Sequence, residues 1–214
     1  MKLKVCGMKQ NPAQVAALSP DYLGFIFWEP SSRYFNVEIP KLPKSIKKVG
    51  VFVNAKIEDI LEKVTHYKLD AVQLHGQENT SFCTKLLQVL AKDELQIQII
   101  KVFSIKDQFD FGVLEPFEEL CDYFLFDTKG KLPGGNGYAF DWSVLKSYPS
   151  TKPYFLSGGI GLESSTQLKS FIASKAAKQC HAIDVNSQFE IEPGLKNIDD
   201  LKRLKKLLKN ELSR

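Results

Sequence analysis

Val49-Gly50-Val51-Phe52-Val53-Asn54 is an apolar run of strand length that stops at a polar residue, and Ala71-Val72-Gln73-Leu74-His75-Gly76 is a second that stops in the same way. Between them Ile57, Ile60, Leu61 and Val64 recur at the spacing of a helix with one apolar face. Strand, helix and strand in so short a span make a βα repeat with parallel strands. Both strands are nearly continuous in apolar residues rather than alternating, as strands covered on both faces are.

The same unit recurs in both directions. Upstream, Leu3 to Val5 ends at Cys6-Gly7, and Asn11-Pro12 opens a short helix reaching Leu18. Tyr22 to Phe27 is the second strand, followed by the loop Trp28 to Tyr34 and a poorly defined helical stretch around Val37 to Pro43. Downstream, Phe82, Leu86, Leu87 and Leu90 mark a helix, Ile97 to Phe103 a strand, and Asp107 to Leu120 a less regular helix interrupted near Pro116. Tyr123 to Phe126 ends at Asp127, a glycine-rich loop runs from Lys129 to Tyr138, and Asp141 to Tyr148 is a short helix. Pro153 to Leu156 ends in Ser157-Gly158-Gly159, Ser164 to Ala173 is helical, and Ala182 to Val185 ends in Asn186-Ser187. Eight such units predict an α/β chain folded as a single (β/α)8 TIM barrel, one catalytic domain over residues 1–214. A doubly wound sheet is the alternative, but nothing marks a reversal of strand order.

Hydrophobic residues are 43% of the 214 and charged residues 25%, which suits a globular chain with a full core. No apolar run is long enough for a membrane span, so no membrane association is expected. The chain enters a strand with no basic-then-apolar leader, and Cys6, Cys83, Cys121 and Cys180 form no CxxC pair; a reducing, cytoplasmic setting is expected. Lys202, Arg203, Lys205, Lys206 and Lys209 carry much of the net charge of +4. Nucleic-acid binding is not expected from them. Ile198, Leu201, Leu204, Leu207 and Leu208 give that helix a core-facing stripe, and no aromatic residues interleave the basic ones. The positive balance suits a small anionic ligand instead. His66, His75 and His181 have no metal-ligand spacing, and no Rossmann or Walker pattern occurs, so neither a metal nor a nucleotide cofactor is expected.

Function in such a barrel sits at the C-terminal ends of the strands. Those ends hold Cys6, Arg33 a little beyond strand two, Asn54, Gln73, His75, Lys101, Asp127, Ser157-Gly158-Gly159, Asp184, Asn186 and Ser187. A thiol, carboxylates, a guanidinium and two anion-suited loops are thus expected around one pocket. Gly158-Gly159 after strand seven and Asn186-Ser187 after strand eight stand where these barrels bind phosphate. His181 starts a strand, so it is expected at the opposite, structural face.

Lys4-Val5-Cys6-Gly7-Met8, Gly24-Phe25-Ile26-Phe27, Ser32-Arg33-Tyr34, Val49 to Asn54, Val72 to Gly76, Phe126-Asp127-Thr128, Gly134-Gly135-Asn136-Gly137, Phe140-Asp141-Trp142, Ser157 to Ile160, Asp184 to Ser187, Glu190, Pro193-Gly194 and Lys196 form an ordered set spanning the chain. That set resembles the phosphoribosylanthranilate isomerase family of tryptophan biosynthesis. The resemblance implies an Amadori rearrangement of N-(5-phosphoribosyl)anthranilate to 1-(2-carboxyphenylamino)-1-deoxyribulose 5-phosphate, with Cys6 as general base and Asp127 as general acid. It implies a small phosphorylated sugar–anthranilate substrate and no metal or organic cofactor. Arg33 would take the anthranilate carboxylate. Gln73, His75, Gly135, Gly158, Gly159, Asp184, Asn186 and Ser187 would complete the substrate site, with the phosphate on the loops after strands seven and eight.

Elementary chemistry agrees with these roles. Ring opening needs a proton on the furanose oxygen, and loss of the C2 proton gives an enolamine that becomes the ketone; one acid and one base suffice. Asp127 then needs an apolar or anionic setting that keeps its proton, and Cys6 a cation that favours the thiolate. Three departures stand out: Ser31-Ser32 precedes Arg33 where the family often has proline, Asn136 stands for the usual threonine, and Asn186-Ser187-Gln188-Phe189 replaces the common Ser-Ser-Gly-Val. None removes a catalytic group; altered phosphate affinity is expected. The competing readings are the sister isomerase of histidine biosynthesis, whose family has a carboxylate where Cys6 stands, and a sugar-phosphate binding protein without turnover. The sequence does not set the oligomeric state; a monomer is favoured.

Overall fold

The computed structural model describes residues 1–106, 108–128 and 141–212. Eight parallel strands close one barrel in chain order: β1 (Lys2–Val5), β2 (Tyr22–Ile26), β3 (Lys47–Phe52), β4 (Ala71–Leu74), β5 (Gln98–Ile105), β6 (Tyr123–Thr128), β7 (Tyr154–Leu156) and β8 (Cys180–Val185). The β8–β1 pairing sets Lys2 beside Ala182 and Lys4 beside Asp184, and the β1–β2 pairing sets Lys4 beside Tyr22. Around the barrel lie α1 (Pro12–Ala17), α2 (Ile57–Tyr67), α3 (Thr80–Lys92), α4 (Ser165–Ile172) and α5 (Ile198–Leu212).

The apolar stripes seat the helices. Ile60 and Val64 of α2, Leu86 and Leu90 of α3, and Leu201, Leu204 and Leu208 of α5 are all buried. Asn79 caps α3 by accepting from the Phe82 N–H at 2.9 Å, and the Asn197 side chain accepts from the N–H groups of Asp199 and Asp200 at the start of α5. Inside the barrel, Tyr22, Val49, Ala71, Ile100, Val102, Leu125, Phe155 and Ala182 form one cluster, while Leu3 and Val5 of β1 belong to the outer strand–helix layer. The alternation of β1 therefore turns Lys4, which is 0% exposed, into the barrel.

Several connections differ from expectation. No helix forms around Val37 to Pro43. Pro40 and Pro43 each lack a backbone donor and push the preceding residue out of the helical region. 3₁₀ segments, Phe111–Phe117 with Pro116 inside and Trp142–Ser147, stand where an irregular helix interrupted near Pro116 and a short helix were expected. A small hairpin, β9 (Glu190–Glu192) and β10 (Leu195–Lys196), follows β8 and was not expected at all.

The N-terminal end is plugged as expected for its histidine. The β7–β8 register shifts between Tyr154 and Phe155, so β8 bulges at His181 and turns its ring inward. His181 Nε2 lies 2.8 Å from Tyr22 Oη, Gln98 donates to Tyr123 Oη at 3.3 Å, and Lys47 donates to Gln98 at 2.9 Å. Burial and the cations Lys2 and Lys47 push the His181 imidazole down to about 4.

Candidate active site

One cleft opens at the C-terminal ends of the strands. Cys6, Arg33, Gln73, His75, Asp127, Gly158, Gly159, Asp184, Asn186 and Ser187 all line it, so the expected residues that are described come together. Gly135 and the glycine-rich loop around it lie outside the described residues. Asn54 and Lys101 do not line the cleft. Glu78 accepts from the Asn54 N–H at 2.8 Å and from Lys101 Nζ at 3.1 Å, while Asn54 Oδ1 accepts from the Gln77 N–H. Both brace the β3 and β4 loops from the barrel's outer side.

Cys6 follows β1 directly, and its N–H bonds Val185 O at 2.8 Å. Gly7 turns away with φ of 73°, and a Cβ there would strike Asn186 and Arg33. Two residues back on the same strand face, Lys4 Nζ meets Asp184 Oδ2 at 2.7 Å. Burial pushes the Cys6 thiol up; Lys4 and Lys196 pull it back while Asp184 adds to the rise. Burial pulls down on Lys4, but Asp184 outweighs it and holds the ammonium above its ordinary value, and a Cys6 thiolate would add to that rise.

Across the barrel, Asp127 Oδ1 accepts from the Thr128 N–H at 3.0 Å, and Oδ2 lies 3.3 Å from His75 Nε2. Gln73 Nε2 lies 3.2 Å from His75 Nδ1; with Nδ1 accepting, the ring proton sits on Nε2 and faces the carboxylate. Of the apolar or anionic setting expected, the nearest groups around Asp127 are donors rather than apolar, while Asp184 is an anionic neighbour close enough for their charges to interact. Among the described residues, three buried atoms at this end have no hydrogen-bond partner: Gln73 Oε1, Asp184 Oδ1 and Thr128 Oγ1. Unmet acceptors in a cleft are ready for ligand donors.

Arg33 was expected to take the anthranilate carboxylate. Its Nε and Nη2 instead hold Glu190, with contacts of 2.9, 2.9 and 2.6 Å. Burial alone would raise Glu190, yet Arg33 and Lys196 hold it below the usual carboxylate range. Burial pulls Lys196 below the ordinary lysine range, with Glu190 opposing. Gly158 has φ of 89°, and a Cβ there would collide with Thr128, so the loop after β7 accepts no side chain. Lys4 was missed as part of the site, and Glu190 and Lys196 were read only as motif residues. Strand alternation carried the signal for Lys4: if Cys6 faces the barrel, so does the residue two before it. Among the described residues no group of three His, Cys, Asp or Glu side chains could hold a metal ion. No helix there is long and apolar enough to cross a membrane.

A closed (β/α)8 barrel with its ionisable groups gathered at the strand C-termini defines a barrel enzyme. Comparison with known proteins narrows that class. Residues 3–209 match the family profile of N-(5'phosphoribosyl)anthranilate (PRA) isomerase. The chain is 44% identical to N-(5'-phosphoribosyl)anthranilate isomerase of Parabacteroides distasonis, covering 94% of this chain and 90% of that protein. The crystal structure of the Thermotoga maritima phosphoribosyl anthranilate isomerase superposes with a TM-score of 0.79 at 30% identity, over 98% of this chain and 99% of that one. A further crystal structure, of a phosphoribosyl anthranilate isomerase in complex with reduced 1-(o-carboxyphenylamino)-1-deoxyribulose 5-phosphate, gives a TM-score of 0.75 at 28% identity, with coverage of 98% and 99%. The chain belongs to the phosphoribosylanthranilate isomerase family, and its activity is that isomerisation, a step of tryptophan biosynthesis. The resemblance carried by its strand-end motifs holds.

Proposed function

We propose that the isomerisation runs by general acid–base catalysis between Cys6 and Asp127, without a metal or organic cofactor. The observation that carries this reading is that thiol and carboxylate line one cleft from β1 and β6, with the buried Lys4–Asp184 pair beside the sulfur. Asp127 gives its proton to the furanose oxygen, opening the ring to the protonated imine. Cys6 removes the C2 proton, and the enolamine so formed tautomerises to the ketone. Burial favours the thiol in the free site; the cationic imine and Lys4 favour the thiolate, so the thiol gives its proton to bulk water once the imine forms, ahead of the step that needs the thiolate.

The same reading assigns the substrate's ends. Arg33 takes the anthranilate carboxylate through the edge that Glu190 leaves open. The phosphate lies on Gly158-Gly159 and Asn186-Ser187, with Gly135 joining on the strength of its sequence motif alone. Gln73, His75 and Asp184 contact the sugar, and the unpartnered Gln73 Oε1 and Asp184 Oδ1 accept its hydroxyls. The product analogue in the related complex carries both a carboxyphenyl group and a phosphate, which favours two anion sites at opposite ends of the cleft. Residues 1–214 act as one catalytic domain, a cytoplasmic monomer; four free cysteines support the compartment.

The test follows loss of phosphoribosylanthranilate fluorescence. Cys6→Ala and Asp127→Asn each lower kcat by about 100-fold or more. Near-normal kcat in both purified, folded variants would overturn the assignment. Arg33→Ala raises KM while leaving kcat within about threefold, and an unchanged KM would remove it from the carboxylate site.

A further inference from the structure

Arg33 is the front of a three-residue stack. Glu190 accepts from Arg33 Nε and Nη2, from Lys196 Nζ at 2.7 Å and from the Gly194 N–H at 3.1 Å, which leaves it saturated. Lys196 Nζ also faces Asn186 Oδ1 at 2.7 Å and Asn186 O at 3.2 Å. Three acceptors around one nitrogen match the three N–H groups of an ammonium. The side chains of Lys196 and Glu190 are 0% and 4% exposed, against 17% for Arg33, so the guanidinium alone looks out.

The hairpin behind this stack is tied to the segment before α1, where Gly194 O accepts from the Gln10 N–H and Asn11 pairs with the Lys196 backbone. Glu190 and Lys196 are cross-strand partners in β9–β10, while Ile191 is 69% exposed and adds nothing to the core. Charge decides what the stack achieves. A buried Arg33–Glu190 couple is neutral and has no net attraction for an anion. Adding Lys196 returns one positive charge to the group while Glu190 keeps the guanidinium in one orientation.

We propose that Glu190 and Lys196 are positioning residues for the substrate's carboxylate: Glu190 locks the Arg33 fork with its outer edge toward the cleft, and Lys196 supplies the charge that Glu190 cancels. This inference rests on the reading of Arg33 as the carboxylate anchor. It treats the β9–β10 hairpin as a specificity element, not as packing.

The test titrates the protein with reduced 1-(o-carboxyphenylamino)-1-deoxyribulose 5-phosphate and with the phenylamino analogue that lacks the carboxylate. Lys196→Met weakens the carboxylated ligand by about tenfold or more and the phenylamino ligand by less than about threefold. Adding Glu190→Gln to that variant restores the net charge and recovers part of the lost affinity for the carboxylated ligand, which stays below the parent's because Arg33 loses its two-oxygen lock. Lys196→Gln, which keeps a donor for Asn186, is the second form of the test should the methionine variant not fold. Equal weakening of both ligands, or a double variant no better than the single one, would overturn the proposal. Arg33→Ala is the control. If it too fails to separate the two ligands, the anchor reading has failed; if it separates them and Lys196→Met does not, only the present inference has.

Discussion

The two ends of the barrel are made from the same strands by the same alternation, yet they treat polar groups in opposite ways. At the N-terminal end His181, Tyr22, Tyr123, Gln98 and Lys47 bond one another, and the ring faces of Tyr22, Tyr123 and Phe155 close over the histidine. At the C-terminal end Gln73, Asp184 and Thr128 each keep a buried oxygen without a partner among the described residues, and a lysine and a carboxylate are buried together beside a thiol. Satisfied polar groups hold a fold in one state, whereas unsatisfied ones cost stability until a ligand meets them. The difference shows which end is arranged for the protein and which for its substrate.

The largest way to break that contrast is at Lys4. Lys4→Met leaves the Asp184 carboxylate buried without its cation and lowers stability by about 3–5 kcal/mol. Lys4→Met combined with Asp184→Leu recovers most of that loss in thermal unfolding but stays inactive, because the pair serves the cleft rather than the fold. A double variant as unstable as the single one would place the pair with the structural end.

Next is Gly158→Ala. Its left-handed backbone and the collision with Thr128 cost about 1–3 kcal/mol. Affinity for a phosphate-bearing product analogue falls with it, by isothermal titration.

The N-terminal end answers to pH. His181 titrates near 4 in the folded chain against an ordinary 6.5, so between those values the unfolded chain binds a proton that the folded one refuses. Stability is complete above about pH 6.5 and declines as pH falls toward about 4. With the ring only half-buried, the loss is about 1–2 kcal/mol, and His181→Asn flattens it in urea titrations at several pH values. An identical pH slope in parent and variant would remove the histidine from the account.

Smallest is Tyr22→Phe, which removes the hydroxyl facing His181. It lowers stability by about 1 kcal/mol and leaves kcat within twofold or so. A selective loss of kcat would show that the two ends are coupled.

Sequence pattern reaches the two ends unevenly. Strand positions and helix stripes were legible because burial enforces periodicity, and Cys6, Asp127 and the Gly158 loop followed from their places at strand ends. The stretch from Val37 to Pro43 misled because scattered apolar residues suggested a helix that two prolines prevent. Lys101 misled for a different reason: it lies one residue out of phase with the barrel interior and pairs with Glu78 outside. Lys4 was legible only as a motif residue because an alternating lysine on a strand suggests solvent, and only a closed barrel gives it a buried carboxylate. The Arg33–Glu190–Lys196 stack was beyond reach, since no pattern announces that residues 157 positions apart share a bond.

The Lys4–Asp184 contact joins the first strand to the last, across 180 residues of chain. Cys6 lies ahead of every other strand in the barrel and has its neighbouring charges only once β8 docks. Activity therefore reports completion of folding: a chain split before β8 regains turnover only when the missing fragment rejoins the seam, at a rate set by that docking rather than by chemistry.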